Sequence, residues 1–430
     1  MRARPTRRRR ATFAFAFASI VALSLVATAC APDAHVEIDV PPQTAAALPD
    51  ETVQQLQDAV THAMTAAGAS GAIVGVWAPW SGEFVTGLGV ESPGGDQPVS
   101  AEMQFRAAQL TRPMICDVLY AVADEGTVRL DDAVAEWVSG FPDLTDITLD
   151  QLCDSTSGIG SYSSQLAGMF LSNPGRVWNP RELASYGIGQ PRGGEPGAAY
   201  RDSDAGYVIL GVALERATGR SAAQLLTEYV FDPLDLTETR LPGALAAPPS
   251  TGPVLTGHHS LRDGAGTMNC AEPLEMTSLS ASSGFTDSGV VTDIDDIGRY
   301  VQGLATGALL PEGADRFEQP LAVYADAPSW YTTRGGAIQA GSLVGQSGSV
   351  PGYATAAFSD PKSGLTVAVV LNNSAVGGGF TQYLAWELAA IASKAPAAAG
   401  ATAPDAGLPW TAQQYHELIA ASAICSAPAG

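Results

Sequence analysis

The chain has 430 residues, 46% of them apolar, with 22 basic and 44 acidic side chains. That is enough apolar material for one large domain or two ordinary ones, and too much for a disordered chain. A formal net charge of −22 excludes nucleic acid and anionic lipid headgroups as partners, since the field of the chain repels phosphate.

The first 29 residues read as a secretory signal. Arg7 to Arg10 form a basic start, and residues 13–29 form an apolar run too short to span a bilayer comfortably. The run ends Ala27-Thr28-Ala29-Cys30, the pattern of a bacterial lipobox, in which the Cys30 thiol is lipidated and becomes the mature N-terminus. Ordinary cleavage after Ala29 and a twin-arginine signal at Arg9-Arg10 are the competing readings. Without the six arginines of the leader the net charge is near −28. The expected location is the outer face of the bacterial cell membrane, with the lipid as the only membrane contact. Four cysteines follow Cys30 (Cys116, Cys153, Cys270 and Cys425), and in an exported chain they suggest two disulfides, with three possible pairings.

Residues 30–48 are rich in Pro and Ala and read as a tether. Val53, Leu56, Val60 and Met64 recur at helical spacing, so a helix is expected from Pro49 to about Gly68. GAIVGVWAP and GEFVTGLGV, broken by Trp80-Ser81-Gly82, read as a β-hairpin. Helices are expected over 113–125 and 205–218, with short helices and loops from about 140 to 260. Three apolar runs follow, AGSLVGQSGSV, ATAAFSD and LTVAVVLNN, and residues 379–394 read as a closing helix. Residues 396–430 are a linker and a short terminal helix. Strands at both ends with helices between them predict an α/β domain over 49–395. It would hold one antiparallel sheet, built from about 70–95 and 335–375, with a mostly helical insertion from about 110 to 290.

Six segments in order carry a family resemblance: FRAAQLTRPM, DEGTVRLDDAV, ITLDQLCDSTSGI, DSDAGYVILGVALERATGRS, SSGFTDSGVVTDIDDIGRYVQGL and GQSGSVPGYATAAFSDPKSGLTVAVVLNN. Together they resemble the serine β-lactamase-like superfamily, of class C β-lactamase and D-alanyl-D-alanine carboxypeptidase type, over about 50–395. The resemblance implies three catalytic motifs. S-x-x-K supplies the nucleophile and a proton carrier, Y-x-N a further proton carrier, and K-T-G or H-x-G a carboxylate site beside the oxyanion hole.

Each motif lacks its reactive member here. Anchored on Phe105-Arg106, the serine position is Gln109 and the lysine position is Arg112. Glutamine forms no acyl-enzyme, and arginine does not deprotonate in proteins. The second motif becomes Asp202-Ser203-Asp204, with Asp202 where the tyrosine belongs; Tyr200 would fill that place only in a frame two residues away. The third becomes Gln346-Ser347-Gly348. The chain has only two lysines, Lys362 and Lys394, and Ser359-Asp360-Pro361-Lys362 sits in a D-P-K-S-G turn between strands, where no helix starts on the serine.

Other nucleophiles are weaker. Ser155 and Ser157 read as turn chemistry, and Ser203 has only carboxylates beside it. His258-His259 suggests a metal or a Ser–His pair, but an adjacent pair in a loop is more often polar surface. His35, His62 and His416 carry no signal. No metal and no cofactor are expected.

The resemblance therefore implies a catalytically inactive envelope lipoprotein that binds, senses or scaffolds, with peptidoglycan peptides or an envelope protein as partner. The alternative is a serine-type hydrolase of the same class with a non-standard site. Free D-Ala carboxylates would need Arg112 or Arg106 to meet them. In the vacated centre Arg112 is expected to pair with Asp202 or Asp204, with Gln109 donating to one of those carboxylates. The resemblance also implies a Cys116–Cys153 disulfide between the core helix and the T-S-G segment, leaving Cys270 for Cys425.

Overall fold

The computed structural model describes residues 35–141, 144–243, 252–405 and 407–425. The leader and Cys30 lie outside them. Among the described residues no helix is long and apolar enough to cross a membrane.

A helix, α1 (Asp50–Ala67), opens the fold, with Asp50 and Glu51 complementing the positive end of its dipole. Gly68, at φ 62°, ends it in the left-handed conformation that glycine adopts without strain. The hairpin β1 (Gly71–Ala78) and β2 (Gly82–Gly89) follows. The later strands are β3 (Leu321–Ala322), β4 (Tyr331–Arg334), β5 (Ala337–Ala340), β6 (Leu343–Val350), β7 (Tyr353–Ser359) and β8 (Thr366–Leu371). All eight form one antiparallel sheet in the order β2-β1-β8-β7-β6-β5-β4-β3. The two ends of the chain meet where β1 pairs with β8, Gly75 opposite Ala368.

The sheet runs further than the sequence suggested. Tyr331–Arg334 joins β5 through a two-residue Gly335-Gly336 turn, both glycines at positive φ, as a tight hairpin turn requires. Central strands β7 and β8 are buried on both faces, so their sequences are continuously apolar and do not alternate. In β1 the alternation is visible in what each face meets. Ala72, Val74 and Val76 pack with α1 and the late helix α5 defined below, while Ile73 packs into the helical body.

Four further helices fix the site and the chain end. They are α2 (Thr111–Asp124), α3 (Asp204–Thr218), α4 (Ile294–Thr306) and α5 (Gly378–Ala392). The Cys116–Cys153 disulfide ties α2 to the T-S-G segment, and Cys270–Cys425 ties the chain end to a surface loop, as expected.

The terminal helix, α6 (Ala412–Ala421), is docked on α5. Trp410, Tyr415 and Ile419 are buried, and Trp410 Nε1 donates to the Trp386 carbonyl. His416 lies 2.9 Å from Glu387 and stacks on His62, so two histidines that carried no signal in the sequence meet at this junction. The described part of the tether also touches the domain. Val36 N–H donates to Pro233 O, Thr44 N–H to Pro79 O, and Leu48 is buried.

Candidate functional site

The start of α2 is held by two local devices. Phe105–Arg106 pairs with Val291–Thr292, which brings the 282–292 segment against the helix N-terminus. A single 3-10 turn, Ala108–Leu110, then leads into the helix, with Ala108 at φ 52°. A non-glycine residue in that region costs of order 1 kcal/mol and is typical of functional sites. The strain falls one residue before Gln109, on the approach to the nucleophile position.

Arg112, one turn into the structure from Gln109, is buried and held from two sides. Its Nε donates to Asp287 Oδ1 at 2.8 Å, and Nη1 bonds Asp202 Oδ1. The guanidinium also lies 4.8 Å from the centre of the Tyr207 ring, within cation–π range. Burial works against the charge, but Asp202 and Asp287 outweigh it and hold Arg112 well above its ordinary range. The Asp202 side chain is 57% exposed. Its residual burial opposes ionisation, yet Arg112 and the Tyr200 hydroxyl, 3.4 Å away, keep its carboxyl below the usual value.

Asp204 is not a partner of Arg112. Its two oxygens accept the backbone N–H groups of Tyr162 (2.6 Å) and Ser163 (2.9 Å), at the start of the helix Ser163–Ser172. That is anion binding at a helix N-terminus, a structural role. Burial, with Asp287 nearby, pushes its carboxyl up to about 6. The second carboxylate on Arg112 is Asp287, 175 residues further along, which sequence reasoning did not single out. Its one sequence signal was an acid inside SSGFTDSG, a segment otherwise free of charge.

Gln109 does not donate to Asp202 or Asp204 either. Its Nε2 lies 3.5 Å from Asp287 Oδ2, a weak contact, while its Oε1 accepts the backbone N–H of Ser349 at 2.7 Å. Ser349 follows Gln346-Ser347-Gly348 on β6, so an amide oxygen occupies the donor that faces the nucleophile position. Gly348 permits this approach, because a Cβ there would come within 1.9 Å of Gln109 Oε1. Gln346 turns away, its Nε2 donating to Gly336 O and its Oε1 accepting from Ser347 N–H. Arg106 is buried and bonds the Leu279 carbonyl, so it does not serve as a second cation for a carboxylate.

The remaining candidates fall outside this group. Ser155, at φ 54°, donates to the Tyr207 hydroxyl, Ser203 caps α3 and Ser157 lies in a buried turn. Ser359 ends β7, and Lys362 sits in the turn closed by Asp360, so that S-x-x-K spacing is a hairpin. His259 Nδ1 lies 2.8 Å from Ser374 Oγ, but that buried oxygen also accepts from Gly352 N–H. Among the described residues no three His, Cys, Asp or Glu side chains are grouped to hold a metal ion.

Fold and centre together define a protein of the serine β-lactamase and penicillin-binding type. The chain belongs to the Beta-lactamase family, whose model matches residues 56–390. It is 28% identical over 153 residues to penicillin-binding protein 4* of Bacillus subtilis, covering 34% of this chain and 32% of that protein. It is also 28% identical over 157 residues to the D-alanyl-D-alanine-carboxypeptidase/endopeptidase AmpH of Escherichia coli, covering 35% and 40%. These matches thus span only about a third of the relatives' length. Among solved structures, the D-stereospecific amidohydrolase from a Streptomyces species superposes with a TM-score of 0.64 at 24% identity, covering 77% of this chain and 96% of that one. A penicillin-binding protein homologue from Pyrococcus abyssi gives 0.62 at 20% identity, covering 77% and 75%. At these identities the likeness is one of fold.

Proposed function

We propose that this chain is a catalytically inactive member of its family, exported, anchored through lipid on Cys30, and acting as a binding, sensing or scaffold module of the envelope. The observation that carries the reading is the occupied centre. Arg112 is fixed between Asp202 and Asp287, and the Gln109 amide oxygen takes the Ser349 N–H. Loss of nucleophile and proton carrier removes the covalent route, and the remaining backbone donor is already engaged. Peptidoglycan peptides or an envelope protein are the proposed partners, by analogy with relatives named as penicillin-binding and carboxypeptidase proteins.

The second reading, a serine-type hydrolase with a non-standard site, is favoured by the His259–Ser374 contact. Incubation with a fluorescent penicillin and with a D-Ala-D-Ala peptide separates the two. The inactive reading expects neither a covalent adduct nor turnover above background. Turnover that persists in Gln109→Ala and disappears in Ser374→Ala would replace it with the second reading. Globomycin-sensitive incorporation of a labelled fatty acid, lost in Cys30→Ala, checks the anchor.

A further inference from the structure

We propose that the Cys270–Cys425 disulfide is a thiol-exchange site, and that opening it with a dithiol reductant releases the terminal helix α6 from the domain. The proposal goes beyond the reading above and holds whether or not the centre is active.

The two disulfides sit in opposite surroundings. Cys116 and Cys153 are fully buried between α2 and the T-S-G segment. Cys270 is half-buried and Cys425 is 8% exposed, and both line a surface cavity of about 410 Å³ together with Met64, Gly68, Pro93 and Ala271. Gly68 keeps that space clear, since a Cβ there would lie 2.4 Å from Cys425 Sγ. Exchange requires a thiolate to reach one of the two sulfurs, so access decides which bridge reacts.

The docking that this bridge secures is only partly matched. Trp410, Tyr415 and Ile419 are buried where α6 meets α1 and α5. The same contact seals three polar atoms that have no hydrogen-bond partner among the described residues. They are Nδ1 of His62, whose ring stacks on His416 at 3.9 Å, Nε1 of Trp386, beside the Trp410 and Tyr415 rings, and Oε2 of Glu387, whose other oxygen meets His416. Each loses its hydration on docking, and water restores it once the helix lifts. With the bridge closed, the chain end is pinned to α1, where the N–H groups of Ile424 and Cys425 both donate to Ala66 O. With the bridge open, α6 is tied back covalently only through the chain after Ala398, whose N–H donates to Trp80 O. At ten residues α6 is too short to remain helical by itself, so release also unfolds it.

The chemistry balances with a vicinal dithiol as the reductant. One of its thiolates attacks Cys270 Sγ, the more accessible sulfur, and the S–S bond breaks with Cys425 leaving as a thiolate. The second thiolate then attacks the mixed disulfide and expels Cys270. Two electrons pass to the cysteine pair, the dithiol becomes a disulfide, and its two protons end on Cys270 and Cys425.

The test treats the mature, folded chain with dithiothreitol at mildly alkaline pH, quenches with iodoacetamide and maps the alkylated cysteines by peptide mass. Cys270 and Cys425 should be alkylated at least about tenfold faster than Cys116 and Cys153. In that half-reduced species protection factors in α6 should fall about tenfold or more, while those in α2 and β7 stay within about twofold. Tryptophan fluorescence should shift to the red as Trp386 and Trp410 meet water. The variant Cys270→Ser with Cys425→Ser should show the same exchange pattern without reductant. Equal rates for the two bridges, unfolding of the whole chain on reduction, or unchanged α6 protection in the half-reduced species or in the serine variant would overturn the proposal.

Discussion

The two carboxylates on Arg112 should differ widely in what their removal costs. Asp287 is 2% exposed and the Arg112 side chain 7%, so Asp287→Ala leaves a buried guanidinium short of its inner partner. Breaking a buried pair from one side costs about 3–5 kcal/mol. The Asp202 side chain is 57% exposed, so water replaces it at Nη1 when it is removed. Screening by solvent brings Asp202→Ala down to about 1 kcal/mol or less. A gap of about 2 kcal/mol or more should therefore separate the variants in urea titrations with unchanged m-values. Arg112→Met combined with Asp287→Ala should cost less than Asp287→Ala alone, because no unpaired charge remains inside. Equal losses for the two aspartates, or a larger loss for Asp202→Ala, would refute the placement of Asp287 as the inner partner.

Three further outcomes follow from the same structure. Removing Cys270 and Cys425 together should cost up to about 5 kcal/mol in the chain-entropy account, against about 4 for Cys116 and Cys153, because the closed segment is longer (sequence separations of 155 and 37); reversible denaturation of the paired Cys→Ala variants measures both. Burial pushes Asp296 from 3.8 up to about 6, so its contribution to stability is complete below the unfolded value and is lost as pH rises through 6. Asp296→Asn should flatten stability against pH between about 4 and 6, and an unchanged slope would show that Asp296 does not titrate there. His62 carries the opposite sign: burial first, and the neighbouring His416 second, lower its pKa, so its contribution is present above 6.5 and lost as pH falls below it. Protection factors in α6, taken relative to the intrinsic amide exchange rate at each pH, should fall below that pH in the wild-type chain and less so in His62→Gln.

The sequence by itself determined the family, the residues at the motif offsets and the central strands that the two ends of the chain give the sheet. Those are properties of residue type and local order: Gln109, Arg112, Asp202 and Gln346 each fall at a fixed offset from an anchoring segment. The disulfide pairing was legible only through the resemblance, since four cysteines alone admit three arrangements. Strand β4 escaped detection because Tyr331–Arg334 is short and mixed, and its Gly335-Gly336 turn was the only local signal. What filled the centre was decided by tertiary structure. Asp204 stood at the right offset, but it is spent on the helix start at Tyr162 and Ser163, and Arg112 takes Asp287 instead. Gln109 likewise reaches a backbone N–H 240 residues away rather than a carboxylate nearby in the motif. Spacing fixes which residues one helix turn brings together; which of two equal charges meets a cation depends on where the rest of the chain folds back, and on which backbone donors each carboxylate has already satisfied.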